Sequence, residues 1–490
     1  MSVRRPVFCD LPTGGSAMTA PSPSPSPSPA RARLVLAVLV LGIFAYQALE
    51  TMLAPALPLI QQAVGASTPA IAWVFTGVLL AGAVAAPVIC RLADIRDKRR
   101  VLLAVLAIVC AGTLVAALAT SVWVLTVGQL LQGAGLGLIP LAIGMIRDTQ
   151  SPERVKSANG LIIGVAALST AVGLLAAGPI VARMPYTWLF WLPFVLLVIT
   201  FAVAWFVVPP CPPGETGRVD ITGAVLLGGG LAALLVAITG RSRWGWVSLE
   251  VLGLTAASLV LLAVFVAVEL RTEKPLVDLR MLAGRSVMLV SAVSFAVGFS
   301  SFAVFVLVPM LVQLPAETGY GLGATATLTG LCLVPLGLVG TLAAPLTGRL
   351  ERRIGSRAVM VLGTGALAGA SAVLLGAGEP WVIFVATAVA GAGTGFGMTQ
   401  AMNIVVATVP AERTASLTGV IFVIKAVGGA LGAQVGASVL AAGGTPIPSW
   451  GDFRTAFLLS AAIGLVAVVL SWALPAKVNR TAQDDVVLAG

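Results

Sequence analysis

The chain of 490 residues contains no histidine, and only 10% of its residues are charged. Without histidine there is no Ser-His-Asp set, and the sequence shows neither a P-loop nor a cluster of metal-ligating side chains. The five cysteines, Cys9, Cys90, Cys110, Cys211 and Cys332, are odd in number and lack CxxC spacing, which disfavours a metal site. No soluble stretch is large enough to house a catalytic domain, so an enzyme is not expected and no cofactor is implied. The lack of a nucleotide site leaves ion gradients as the available source of energy.

What the chain has instead is apolar length. Hydrophobic residues make up 58% of it and the mean hydropathy is +1.04, values that describe a chain whose solvent is lipid. Fourteen apolar stretches run from about Leu34 to Leu57, Ile71 to Cys90, Val101 to Thr120, Val122 to Ile146, Ala158 to Ala182 and Thr187 to Val208. They continue from about Ile221 to Gly240, Leu249 to Val268, Val287 to Val312, Thr325 to Thr347, Arg357 to Leu375, Pro380 to Met402, Ala415 to Leu440 and Thr455 to Leu474. Each is roughly 20 residues or more, enough for a helix to cross about 30 Å of hydrocarbon.

The basic residues fall in alternate gaps. One side of the membrane receives clusters such as Arg96, Lys98, Arg99 and Arg100, or Arg349, Arg352, Arg353 and Arg357, whereas the other receives only Arg183, Arg241, Arg243 and Arg454. The positive-inside rule therefore places both termini in the cytoplasm, with the chain multi-pass in the cell's inner (plasma) membrane. The net charge of +10 is dispersed among these inner loops, so it reads as a topology signal and as contact with anionic lipid, not as a nucleic-acid surface. The cysteines lie on the inner side or within spans, where no disulfide is expected.

Alternating Pro and Ser from Pro21 to Pro29 make residues 1–33 a stiff, extended, disordered arm. The arm lacks the continuous apolar core of a signal peptide, so the first span is expected to serve as its own membrane signal, and Met18 is an alternative start.

The chain also repeats itself. GAGLG at Gly133 to Gly137 recurs as GAGTG at Gly391 to Gly395, PER at Pro152 to Arg154 answers AER at Ala411 to Arg413, and RLADIRDKRR from Arg91 aligns with RLERRIGSRA from Arg349. A shift that keeps both copies on one side of the membrane means parallel repeats. The expected fold is an all-α integral membrane protein of 14 transmembrane helices, with two six-helix halves at 34–209 and 287–474. An inserted helix pair with its flanking loops occupies 210–286, and 475–490 form a cytoplasmic tail.

These residues resemble the major facilitator superfamily, and within it the fourteen-span branch of drug:proton antiporters, from about Leu34 to Leu474. The first inner loop is similar to the family's G-x-L-a-D-r-x-G-r-k motif, with Leu92, Ala93, Asp94, Lys98 and Arg99 in place and with Cys90 and Asp97 where its glycines usually stand. QLLQGAG from Gln129 is similar to R-x-x-q-G-x-G, Gly173, Gly178 and Pro179 to the antiporter motif, and YTWLFWLPF from Tyr186 to the branch's W-R-W-i-F-x-x-N-x-P. The resemblance implies efflux of small amphipathic drugs or antibiotics in exchange for protons by alternating access, with the protein working as a monomer. Two other readings remain: an exporter or facilitator of one specific metabolite, and a transporter-shaped membrane sensor.

Glu50 is the one acidic side chain well inside a span, and a charge at that depth costs roughly 3 kcal/mol, so it should face a cavity between the halves. The resemblance places at this position an acidic residue of the first helix that contributes to the proton site. The alternative is a carboxylate that only bonds neighbouring polar groups such as Gln47. Lys425 in IFVIKAVGG is the second intramembrane charge and could pair with unprotonated Glu50, or else bond backbone carbonyls and support packing. Gln129 stands where the branch usually carries an Arg implicated in coupling, so coupling would rest on Glu50 almost alone. One proton moving down about one pH unit and about 100 mV supplies roughly 3.7 kcal/mol, enough in principle for a several-hundred-fold gradient of a neutral solute.

Asp94, with Lys98 and Arg99, is the expected gating loop, its carboxylate able to bond helix amides or an Arg across the halves. Gly173, Gly178 and Pro179 are expected to combine a close helix seam with a bend. Trp244 and Trp246 read as interfacial anchors.

Overall fold

A computed structural model describes residues 29–211, 219–245, 247–272, 275, 279–280, 284–408, 411–443 and 447–474. The Pro/Ser arm up to residue 28, Cys9, Trp246 and the tail from 475 onward lie outside the described residues. Fourteen helical spans, among the described residues, are long and apolar enough to cross a bilayer.

Six spans form the first set: α1 (Pro29–Ala63), α2 (Thr68–Ile95), α3 (Lys98–Ala117), the fourth span of α4 (Val122–Gln132) and α5 (Leu138–Thr149), α6 (Pro152–Arg183) and α7 (Trp188–Val207). The next two, α8 (Ile221–Trp244) and α9 (Leu249–Arg271), pack on each other. The last six are α10 (Arg285–Val312), α11 (Ala326–Ile354), α12 (Ser356–Val373), α13 (Pro380–Thr408), α14 (Ala411–Leu440) and α15 (Trp450–Trp472).

Packing repeats as the sequence does. The pairs α1–α6, α2–α4, α3–α4, α3–α7 and α1–α7 have counterparts in α10–α14, α11–α13, α12–α13, α12–α15 and α10–α15. Small residues set these distances, because lipid offers no hydrophobic drive to bring helices together and close backbone contact must supply the attraction. A Cβ on Gly112 of α3 would lie 2.6 Å from the Gly128 carbonyl oxygen of α4, and one on Gly393 of α13 would lie 2.8 Å from the Gly363 carbonyl oxygen of α12. The two glycine motifs differ locally. Gly133–Gly137 tightens into a 3₁₀ turn between α4 and α5, whereas its repeat at Gly391 to Gly395 stays within the continuous helix α13.

The two sets meet where α2 packs on α14 and α6 on α11, with α1 touching α10 and α11 at the centre. The inserted pair leans on this seam through α8, which contacts both α2 and α14.

Loop chemistry fixes the helix starts. Ser449 and Asp452 form a capping box on α15, and Gly355 takes φ 87° between α11 and α12, a conformation that costs a residue with a Cβ. Asp97, where the family pattern has glycine, caps α3 by accepting from the Arg99 amide at 3.1 Å and also accepts from the Cys211 amide at 2.8 Å. The Lys98 amide in turn donates to the Cys211 carbonyl at 3.2 Å. One carboxylate thus starts α3 and pins the segment after α7. Asp97→Ala is expected to cost about 1–2 kcal/mol, read as a lowered midpoint of thermal unfolding in detergent; an unchanged midpoint would remove the cap from this account.

Candidate functional site: a cleft ending at Glu50 and Lys425

Helix α1 is surrounded by neighbours, and its open positions fall on one stripe: Leu41, Phe44, Gln47 and Glu50 are half-buried. From Thr51 to Leu57 every residue is buried. The stripe therefore ends at Glu50. On the other side of the interface α14 shows the same change, since Ile424 to Val427, including Lys425, are half-buried and Gly428 to Ala430 are buried. Glu50 and Lys425 lie within electrostatic reach of each other across the halves, although no hydrogen bond or ion pair joins them among the described residues.

Glycines place both charges. A Cβ on Gly173 of α6 would overlap the Thr51 hydroxyl and lie 2.7 Å from the Ala48 carbonyl oxygen, so α6 backs directly onto the turn of α1 that carries Glu50. In the corresponding pair of the other half, a Cβ on Gly298 of α10 would overlap the carbonyl of Lys425 itself. Gly428 and Gly432 of α14 sit equally close to the backbone of Phe295 and Phe299. The charges are thereby carried on the tightest helix pairs of each half.

Beyond Glu50 the halves are closed on each other, at the end away from the loop that contains Arg91 to Arg100. Gln313 Nε2 of α10's C-terminus donates to the Pro55 carbonyl at 2.6 Å. Gly178 of α6 abuts Thr327 of α11, and Gly330 of α11 abuts the Leu174 carbonyl of α6. Phe75 of α2 meets Phe305 of α10 edge to face, with centroids 5.6 Å apart at 86°, and Phe302 packs on Phe305 at 6.1 Å. Glu50 lies about 7.5 Å of helix rise on the basic side of Pro55. A solute reaching Glu50 from the basic end would meet this plug and go no further.

The expected residues divide accordingly. Glu50, Gln47 and Lys425 share the cleft. Gln129 does not line it: this side chain is 0% exposed and both ends of its amide lack a hydrogen-bond partner among the described residues, as do the buried Tyr46 hydroxyl and Gln132 Nε2. Asp94 is exposed at the basic end of α2. Lys98 pairs with Asp148 at the end of α5, and the Arg99 guanidinium donates to the Trp205 carbonyl of α7, so both brace α3 within the first half. Gly173 and Gly178 are contact residues, and α6 stays helical through Pro179 to Arg183.

Sequence reading missed the closure itself. Phe75, Phe302 and Phe305 look like any lipid-facing aromatics in a sequence. Gln434 was the legible signal, a wholly buried amide in the thirteenth span that accepts from Thr76 Oγ1 at 3.3 Å.

The family model described as Major Facilitator Superfamily matches residues 39–433 and 291–486. The multidrug resistance protein Stp of Mycobacterium tuberculosis is 27% identical over 82% of this chain and 74% of its own length. The tetracenomycin C resistance and export protein of Streptomyces glaucescens is 30% identical over 79% and 72%. Uncharacterized MFS-type transporters from two strains of Mycobacterium tuberculosis are longer, and the match spans 61% of their length. Among solved structures, the POT family transporter PepTSo superposes with a TM-score of 0.65 at 16% identity, covering 91% of this chain and 99% of that one.

Proposed function

Because the chain belongs to the major facilitator superfamily, we propose that it exports small amphipathic drugs or antibiotics across the cytoplasmic membrane by alternating access, exchanging them for protons carried on Glu50. The observation that carries this reading is the position of Glu50, the last accessible residue of α1 before the closure and opposite Lys425. Names that include resistance and export among the relatives support the substrate class.

In the cycle we envisage, the cleft faces the cytoplasm in the conformer described above, as the bias of basic loops requires of its open end. Solute enters along the stripe from Leu41 to Gln47, and Glu50 gives up its proton to the cytoplasm as the halves rock about the α6–α11 and α2–α14 seams. Outward opening then exposes Glu50 to protons from outside. Lys425 would balance the carboxylate while it is ionised, and Gly173 would keep the α1–α6 crossing close during the movement, whereas the Gly178–Thr327 contact belongs to the closed end and would part. Asp94, with Lys98 and Arg99 held beside it, would close the cytoplasmic end once the other end opens. The protein would work as a monomer with anionic lipid at its inner loops.

The test is efflux of a lipophilic cationic dye from cells lacking their own pumps. Export that collapses when an uncoupler is added is the expected result; export that continues unchanged would remove the proton gradient as the driving force.

A further inference from the structure

The inserted helix pair has no counterpart in the repeat, yet α8 is wedged into the seam that must part for the closed end to open. Thr239, near the C-terminal end of α8, sits between the halves. Its Oγ1 accepts from Trp73 Nε1 of α2 at 2.9 Å and from Gln434 Nε2 of α14 at 2.7 Å, and donates to the Leu235 carbonyl at 2.7 Å. A hydroxyl offers one donor and two acceptor positions, so one hydroxyl can serve these three bonds. Gln434 Nε2 also donates to the Pro69 carbonyl of α2 at 3.1 Å, while its Oε1 accepts from Thr76. One turn further along α14, Ser438 donates to the Ile238 carbonyl of α8 at 3.2 Å.

On the basic side of Thr239 the same seam is wholly apolar, lined by Leu80 of α2, Leu231 and Leu235 of α8, and Val427, Ala430 and Leu431 of α14. The polar bonds are therefore concentrated at one level, at the closed end. Gln434 and Thr76 are 0% exposed, and a buried amide or indole N–H that loses its partner away from water pays its full desolvation.

We propose that Thr239 makes the inserted helix α8 a clasp on the closed end, holding α2 of one half and α14 of the other through a single hydroxyl. The clasp deepens the alternating-access reading and rests on it for its consequence. Whichever half α8 follows when this end opens, either the Trp73 or the Gln434 bond must break, and Ser438 ties α8 to α14, so Trp73 is the partner that lets go. The insertion thus sets how readily the protein leaves the cytoplasm-facing conformer.

The experiment measures the separation of the closed ends directly. Spin labels go on Ser67→Cys and Glu317→Cys, exposed positions at that end in different halves, in full-length protein whose five native cysteines are replaced by alanine. Pulsed dipolar distances are compared in lipid nanodiscs. Thr239→Val removes the hydroxyl at constant shape and is expected to raise the long-distance population roughly three- to tenfold, the size of one or two lost interhelical hydrogen bonds. Thr239→Ser should restore the parent distribution. Trp73→Phe, which keeps a ring and loses only the indole donor, should shift it in the same direction. An unchanged distribution in Trp73→Phe overturns the clasp even where Thr239→Val fails to fold. These distances are read without any substrate, so a protein that exports no dye would count against the efflux reading and leave the clasp standing.

Discussion

Glu50→Gln is expected to reduce uncoupler-sensitive uphill efflux by roughly a hundredfold or more at equal protein level, because the roughly 3.7 kcal/mol supplied by one proton moving down about one pH unit and about 100 mV is lost when the carrier cannot ionise. Glutamine keeps the shape and the hydrogen-bonding capacity of the protonated acid but cannot ionise. The cleft from Leu41 to Gln47, its plug at Phe75 and Phe305, and the close α1–α6 contact behind Glu50 are all untouched by the change. Energy-independent exchange of dye across the membrane should therefore survive in the variant, while uphill export is lost. This split separates a coupling carboxylate from one that only holds the helices in place. A structural carboxylate would lose both activities together, and full uphill export by Glu50→Gln would take Glu50 out of the mechanism.

The second large effect is on stability. Gly298→Ala places a methyl group against the carbonyl of Lys425, where the obstacle is backbone and cannot rotate away. Helices α10 and α14 must separate along a seam that also depends on Gly428 and Gly432, so the expected cost is about 1–3 kcal/mol. It should appear as a lower unfolding midpoint in detergent and less folded protein in the membrane. Gly253→Ala on α9 is the matched control, since a Cβ there meets nothing within 4 Å. Removing a flexible glycine from that helix should leave stability unchanged or raise it by up to about 1 kcal/mol. Equal losses in the two variants would show that the cost does not come from the Gly298 crossing.

Much of this architecture was legible because each signal behind it is local or periodic. Apolar length alone gives a span, and self-similarity along the chain gives a repeat, so the spans and the parallel repeat could be read without knowing any contact. Boundaries shifted where packing, not hydropathy, decides. Helix α1 begins at Pro29 and runs to Ala63, well beyond the apolar stretch, because helix continues into the interface on both sides. Asp97 read as a departure from a glycine pattern, and only the approach of Cys211 shows that its carboxylate is used twice.

The sequence by itself determined which residues carry the intramembrane charges, because burying charge in hydrocarbon is costly enough that Glu50 and Lys425 stand out in any apolar run. Only the tertiary structure decided what surrounds them. That Gln129 is enclosed instead of lining the cleft, that the glycines of α6 and α10 back onto Glu50 and Lys425, and that Thr239 of the insertion bridges Trp73 and Gln434 all depend on helix rotation and approach. In a membrane nearly every position is apolar on all faces, so hydropathy no longer marks the inward side of a helix. Close contact between small residues and scattered polar groups sets that rotation, and those contacts join residues hundreds of positions apart.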